Sequence, residues 1–307
     1  MERHLPVLHR EVLEALAVKA SGVYLDATFG RGGHARSILD ALGPDGRLTV
    51  LDRDPQAIEV AKNFFGDDQR VTIIRGSFEM LGELAREHGI SALDGLLFDL
   101  GVSSPQLDEA ERGFSFQKDG PLDMRMDNEE GMTAAQWLAE ASEKEIAQVL
   151  WRYGEERHSR RIARAILSRR EEKPLERTLD LAALISSAVP RPHGRKHPAT
   201  RSFQAIRIYL NREMQSLEAG LNAALELLAP GGRLCVISFH SLEDRMVKRF
   251  IRSHSRPDPV YAGLPNIPEH AKPRMAVIGK AVTASEQEQD ENPRSRSATL
   301  RVGEKLR

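Results

Sequence analysis

Cysteine is almost missing: Cys235 is the only one in 307 residues. That excludes an internal disulfide and leaves no sign of a metal cluster, so no metal site is expected. Its place in RLCVISF marks a buried structural thiol. Long apolar runs are missing too; none nears the roughly 18 residues that a bilayer span needs. The opening MERHLPVLHREVLEAL has no apolar signal core and reads as a loop followed by a short amphipathic helix. An excess of either charge is also lacking, with a formal net of −1. Charge therefore has to be read locally. These absences give the expectation of a cytoplasmic protein with no membrane partner.

What is present begins at residues 23–34, VYLDATFGRGGH. An apolar run ends in Asp26, a turn with Gly30, Gly32 and Gly33 follows, and a helical pattern starts near Ala35. Strand, acid, glycine turn and helix form the cradle by which an open α/β sheet holds a nucleotide-like cofactor. The string GRGGHA also fits the G-x-G-x-x-A dinucleotide fingerprint. A tight turn without a ligand is the plain alternative.

Strands are expected at 23–26, 48–51, 71–74 and 94–99, with helices near 35–42, 55–65 and 79–88. Asp54 and Pro55 suit the cap and first turn of the second helix. Alternation of this kind implies a parallel sheet. It stops near Ser104. The text to about Arg201 is helical and polar, with a capping box from Ser142 and Glu145 and a cap at Thr178. A long helix is expected from Phe203 to Leu228, closed by Pro230-Gly231-Gly232. A fifth strand, 233–239, resumes the sheet. Two more, near Met275–Val282 and Ala298–Val302, flank TASEQEQDENPRSRS, which reads as an exposed loop. The expected organisation is an α/β domain in two parts, 1–104 and 205–307, around a helical insertion, 105–204.

Asp52, at the end of the second strand, is placed to receive a ribose diol. That acid serves NAD and S-adenosyl-L-methionine alike. Asp26 favours the latter, because a carboxylate before the turn suits an ammonium and repels a pyrophosphate. Seven strands ending in a hairpin, and the PGG turn before the fifth, point the same way. Phe78, after the third strand, is a candidate to stack on adenine, with core packing as its alternative. Asp99 ends the fourth strand. Asp26, Asp52, Phe78 and Asp99 thus map to one sheet edge, where open α/β sheets bind ligands.

HLPVLHREVLEAL, LDATFGRGGH, FDLGVSSPQLD, RGFSF with PLDMRMD, RYGEERHSRRIA, RSFQAIRIYLNRE and SFHSLEDRMVK resemble, in order, the motifs of the MraW family. These are bacterial 16S ribosomal RNA (cytosine-N4)-methyltransferases. The resemblance covers nearly the whole chain. It implies a seven-stranded class I (Rossmann-like) methyltransferase with a helical insertion domain. It implies S-adenosyl-L-methionine as methyl donor and a cytidine amine in the decoding region of the small ribosomal subunit as acceptor. Cofactor contacts carried over are Gly32, Gly33, His34, Asp52, Phe78, Asp99 and Gln106.

In-line transfer to cytosine N4 needs an acceptor for the amine hydrogens, because the lone pair is delocalised into the ring. Asp99 is the best candidate, as acceptor or as cofactor contact, with Ser103 and Ser104 in support. A hydrogen-bonded turn is the alternative for the two serines. The D/N/S-P-P-aromatic motif of many amino-methyltransferases is incomplete here, and Phe114 or Phe116 could supply the missing ring.

The insertion is asymmetric in charge. Residues 105–150 carry 4 Lys/Arg against 11 Asp/Glu, and residues 151–204 carry 13 against 6. Arg157, His158, Arg160, Arg161 and Arg164 open one helix. Arg191, His193, Arg195, Lys196, His197 and Arg201 fill a loop. Both clusters suit RNA phosphates, against the alternative of solvated charges paired with the acidic half. Two other functions stay open: an NAD-dependent oxidoreductase and a non-catalytic RNA-binding assembly factor. A homodimer is left open as well.

Overall fold

A computed structural model describes residues 6–190, 197–261 and 266–307. The chain divides into two compact units, Met1–Gly101 with Gln215–Arg307, and Val102–Met214. The junctions fall at Gly101 and Met214 rather than at 104 and 204.

The first unit holds a seven-stranded sheet in the order β3-β2-β1-β4-β5-β7-β6. Its strands are β1 (Val23–Asp26), β2 (Arg47–Asp52), β3 (Val71–Arg75), β4 (Leu93–Asp99), β5 (Leu228–Ser238), β6 (Met275–Thr283) and β7 (Thr299–Lys305). The first five pair in parallel, and β7 lies antiparallel between β5 and β6. Strand order reverses at β1, which pairs with β2 on one side and β4 on the other. A crevice at the carboxyl ends is the consequence of such a reversal. The apolar centre explains the fold: Leu96, Leu97, Phe98, Cys235 and Ile237 are fully buried in β4 and β5. Continuous apolar strands are what a parallel sheet covered on both faces requires.

Helices α1 (His9–Leu16), α2 (Gly33–Ala41), α3 (Pro55–Phe65) and α4 (Leu81–Glu87) occupy the first part of this unit. Asp54 caps α3 through the Gln56 N–H, with Pro55 in the first turn, as the sequence indicates. The second unit carries α5 (Ser104–Asp108), α6 (Ala134–Glu140), α7 (Glu143–Gly154), α8 (Ser159–Glu172), α9 (Thr178–Ala188) and α10 (Thr200–Leu210). Then follow α11 (Glu213–Leu227), α12 (Ser241–His254) and α13 (Glu286–Glu291).

Four expectations need correction. The long helix from Phe203 is two helices. Asn211 spends its side-chain amide on Met124 O and its carbonyl on the Met126 N–H, and Arg212 then takes a left-handed φ of 51°. The segment expected as an exposed loop contains α13 and a 3₁₀ turn. Ser285 caps α13 through the Glu288 N–H, and Glu288 Oε1 accepts from the Leu8 N–H. Thr178 is not a cap but the first helical residue; its hydroxyl accepts from the Gly120 N–H. Ser142 does cap α7, but the Glu145 carboxylate accepts from Trp137 Nε1 and Tyr209 OH.

Candidate functional site

The glycine turn is built by two left-handed residues and one tight contact. Gly30 and Gly32 take φ of 55° and 75°. A Cβ on Gly32 would lie 2.5 Å from the Phe29 ring. Gly33 is different: it already belongs to α2, and a Cβ there would meet the Pro6 ring at 3.1 Å. The turn is thus held open by backbone freedom at two positions and by close packing at the third.

Around it the ends of four strands converge. Asp26 is 1 % exposed, and its Oδ1 accepts from the Thr28 N–H at 3.1 Å. The Thr28 hydroxyl lies 3.4 Å from the same oxygen and accepts from the Asp99 N–H at 2.6 Å. Asp52 accepts from the Gly30 N–H through Oδ2 and from the Asp54 N–H through Oδ1. Phe78, half-buried, packs edge-to-face on Phe98 with centroids 5.4 Å apart. A Cβ on Gly220 would approach the Phe78 ring to 3.1 Å, so this glycine lets α11 close against it.

The electrostatics follow from crowding acids at one partly buried sheet edge. Burial above all, with the Asp26 and Glu243 carboxylates nearby, pushes Asp99 up to about 8. Burial and the Asp52 charge, against hydrogen bonds from Thr28, leave Asp26 at about 7. Burial raises Asp52 to about 6 despite its backbone donors. Burial and the neighbouring His9 drive His34 down to about 3. His34 Nε2 stands 3.8 Å from Asp99 Oδ2. With the histidine neutral and the acid largely protonated near pH 7, this contact is not an ion pair.

Among the described residues, Asp99 Oδ1 is buried without a hydrogen-bond partner. Buried polar atoms of that kind mark a place for a ligand. Three carboxylates whose ionisation is disfavoured ask for a cation. The residues present therefore fit a nucleoside that carries positive charge, such as S-adenosylmethionine, and disfavour a pyrophosphate.

Asp26, Gly32, Gly33, His34, Asp52, Phe78 and Asp99 all belong to this crevice-bearing unit. Thr28 and Glu243 were not singled out from sequence. Thr28 could have been found from the two-residue Asx-turn spacing after Asp26. Glu243 could have been found from a reciprocal cap with His240 at the head of α12.

Ser103, Ser104 and Gln106 belong to the other unit. Ser103 is the N-cap of α5 and forms a capping box with Gln106, whose Oε1 accepts from the Ser103 N–H at 3.0 Å. The turn is thus a role that Ser103 and Gln106 already fill. Phe114 is buried beside the Arg112 guanidinium, and Phe116 packs on His197 and Phe203. Phe114 is thereby spent on its own unit's interior. Arg157, Arg160, Arg161 and Arg201 are exposed; Arg201 donates to Glu155 O. Arg195 and Lys196 lie outside the described residues. Cys235 is buried, and its thiol is pushed up to about 12, so it is no nucleophile. Among the described residues, no helix is long and apolar enough to cross a membrane.

The family model described as the MraW methylase family matches residues 1–306. A Xanthomonas euvesicatoria protein named ribosomal RNA small subunit methyltransferase H is 60 % identical over 303 residues, covering 99 % of this chain and 89 % of that one. The protein of the same name from Stenotrophomonas maltophilia K279a is 59 % identical over 302 residues, covering 98 % and 93 %.

Proposed function

The chain belongs to the MraW methylase family, and from that premise we propose that it methylates the exocyclic N4 amine of a cytidine in the 16S RNA of the small ribosomal subunit. The observation that carries this reading is the acidic crevice itself. Asp26, Asp52 and Asp99 end adjacent strands around a glycine turn, and among the described residues one Asp99 oxygen is buried without a partner. S-adenosylmethionine supplies, when bound, an electrophilic sulfonium methyl.

The chain's own residues do the rest. Asp52 would receive the ribose diol, Asp26 the ammonium, and Phe78 would pack on the adenine. Gly32, Gly33 and His34 line the turn. Asp99 accepts an N4 hydrogen and stabilises the positive charge that develops on the amine. Holding the amine in line is worth up to roughly 7–11 kcal/mol in favourable intramolecular cases. The target base must leave its stack to be reached. Ser103, Ser104 and Gln106 support the segment that follows Asp99. The insertion recognises RNA, with Arg157, Arg160, Arg161, Arg195, Lys196 and Arg201 contacting phosphates. A ribosomal substrate places the protein in the cytoplasm.

Equilibrium binding tests the cofactor: S-adenosylmethionine should bind and NAD should not. Mass spectrometry of small-subunit RNA treated in vitro tests the product. N4-methylcytidine is expected with the wild type and a loss of at least 100-fold in rate with Asp99→Asn. Binding of NAD instead, or methylation at another atom, would overturn the reading. Unchanged methylation by Asp99→Asn would remove the role given to Asp99.

A further inference from the structure

Trp151 stands on the wrong face of its helix for burial. α7 buries Ile146, Val149, Leu150 and Tyr153. Trp151 stays 61 % exposed, whereas Trp137 is buried and donates its indole N–H to Glu145. A single exposed apolar side chain needs no explanation by itself; what matters here is that the indole lines a basic groove. Lys144, Ala147, Gln148 and Trp151 follow one another at helical spacing along one side of α7. That side lines a groove of about 850 Å³, together with Ser159, Arg160, Arg161 and Arg164 of α8. Arg157 and His158, just before α8, complete it.

The groove is basic and mostly unneutralised. Its lining holds five Lys or Arg and a single carboxylate, Glu143. Among the described residues, the ion pair within it is Arg164–Glu143 at 3.8 Å, between side chains 68 % and 46 % exposed. Ala147, with its small side chain, leaves room beside the indole on the same helix face.

We propose that this groove binds single-stranded RNA, with Trp151 stacking on an unpaired base and the arginines taking the flanking phosphates. The inference rests on the RNA reading above and sharpens it from backbone charge to base contact. A positively charged groove with an exposed aromatic is how single strands are held. A duplex keeps its bases stacked and offers the indole nothing. An acidic peptide would satisfy the arginines and leave the indole wet.

The test uses the full chain and a single-stranded oligoribonucleotide of roughly ten nucleotides, within the range of known strand-binding sites. The same strand annealed to its complement is the control. The single strand should quench Trp151 fluorescence and the duplex should not; Trp137, being buried, supplies the constant background. Trp151→Ala should weaken single-strand binding about 5- to 100-fold, and Trp151→Phe should restore most of it. The slope of log affinity against log salt should stay the same for both, since no phosphate contact is lost. A combined Arg160→Gln and Arg161→Gln variant should bind more weakly with a shallower slope, by about 0.7 per lost contact.

Unchanged single-strand binding by Trp151→Ala, with the arginine variant weakened as expected, overturns base stacking and leaves the RNA reading standing. An arginine variant with normal affinity and slope removes both. Equal losses for strand and duplex in Trp151→Ala would show a structural effect and overturn the inference. Quenching by polyglutamate but not by RNA would assign the groove to an acidic protein.

Discussion

The Gly30 N–H donates to Asp52 Oδ2 at 2.8 Å, joining the first glycine of the turn to the acid that ends β2. Asp52 Oδ1 accepts from the Asp54 N–H at 2.9 Å, so the carboxylate holds the turn and the start of α3 together. Asp52→Ala leaves both donors without that acceptor, at a cost of about 1–3 kcal/mol. It also removes the ribose acceptor. We expect a fall in melting temperature and a 10- to 100-fold loss in S-adenosylmethionine affinity by calorimetry. Asp52→Glu, which keeps the charge, should recover part of the affinity. A normal affinity in the alanine variant would show that the acid does not touch the cofactor.

Cofactor binding should tighten as pH rises from 6 to 8. In the cofactor-free protein Asp52, Asp26 and Asp99 titrate at about 6, 7 and 8. A cation prefers the ionised forms, so its arrival expels protons that the crevice holds at neutral pH. Titrations at pH 7 in buffers of different ionisation enthalpy should report net proton release. A pH-independent affinity with no proton release would mean that the acids do not sense the ligand's charge.

Gly32→Ala and Gly33→Ala should separate conformational freedom from packing. At Gly32 a side chain meets both a φ of 75° and the Phe29 ring at 2.5 Å. Left-handed strain alone costs roughly 1–2 kcal/mol. At Gly33 the backbone is helical and the contact is the Pro6 ring at 3.1 Å, which can shift by a few tenths of an ångström. Cofactor affinity should drop more than 10-fold in the first variant and less than 3-fold in the second. The reverse order would place the critical contact at the start of α2.

The sheet edge was legible because its signals are local. Asp26, Asp52, Phe78 and Asp99 each end or follow an apolar run, and Asp54 with Pro55 announces α3. What the sequence hid depends on distant partners. Nothing near Asn211 tells that its amide serves Met124 and Met126 and so ends α10. Glu288 looks like one more solvated acid until Leu8 is seen to donate to it. Ser103 is a catalytic candidate and Gln106 a cofactor candidate from the sequence, and the same spacing is that of a capping box. Trp151 follows buried Leu150 in sequence, yet the helix turns it to the basic side.

The stability of the cofactor-free protein should fall between pH 6.5 and 8.5, and Asp99 should account for much of the fall. A carboxylic acid raised in the folded state binds its proton more tightly than in the unfolded chain. Its stabilising contribution is complete below the ordinary carboxylate range and is lost as pH climbs through the folded value. For Asp26 and Asp99 those values are about 7 and 8. His34 works in the opposite sense, being lowered from 6.5 to about 3. Its contribution is already complete above pH 6.5 and is lost only as pH falls from there, so it does not disturb this window. Asp99→Asn imitates the protonated acid and cannot ionise. Thermal unfolding of this variant should therefore show a flatter decline from pH 6.5 to 8.5 than the wild type, with the two closest at the acid end. Saturating S-adenosylmethionine should flatten the wild-type curve too, because the cation takes over the neutralising role of the protons. Parallel pH profiles for wild type and Asp99→Asn would show that the acid already ionises at ordinary pH in the folded protein, and the protonated, unpaired Asp99 described above would have to be abandoned.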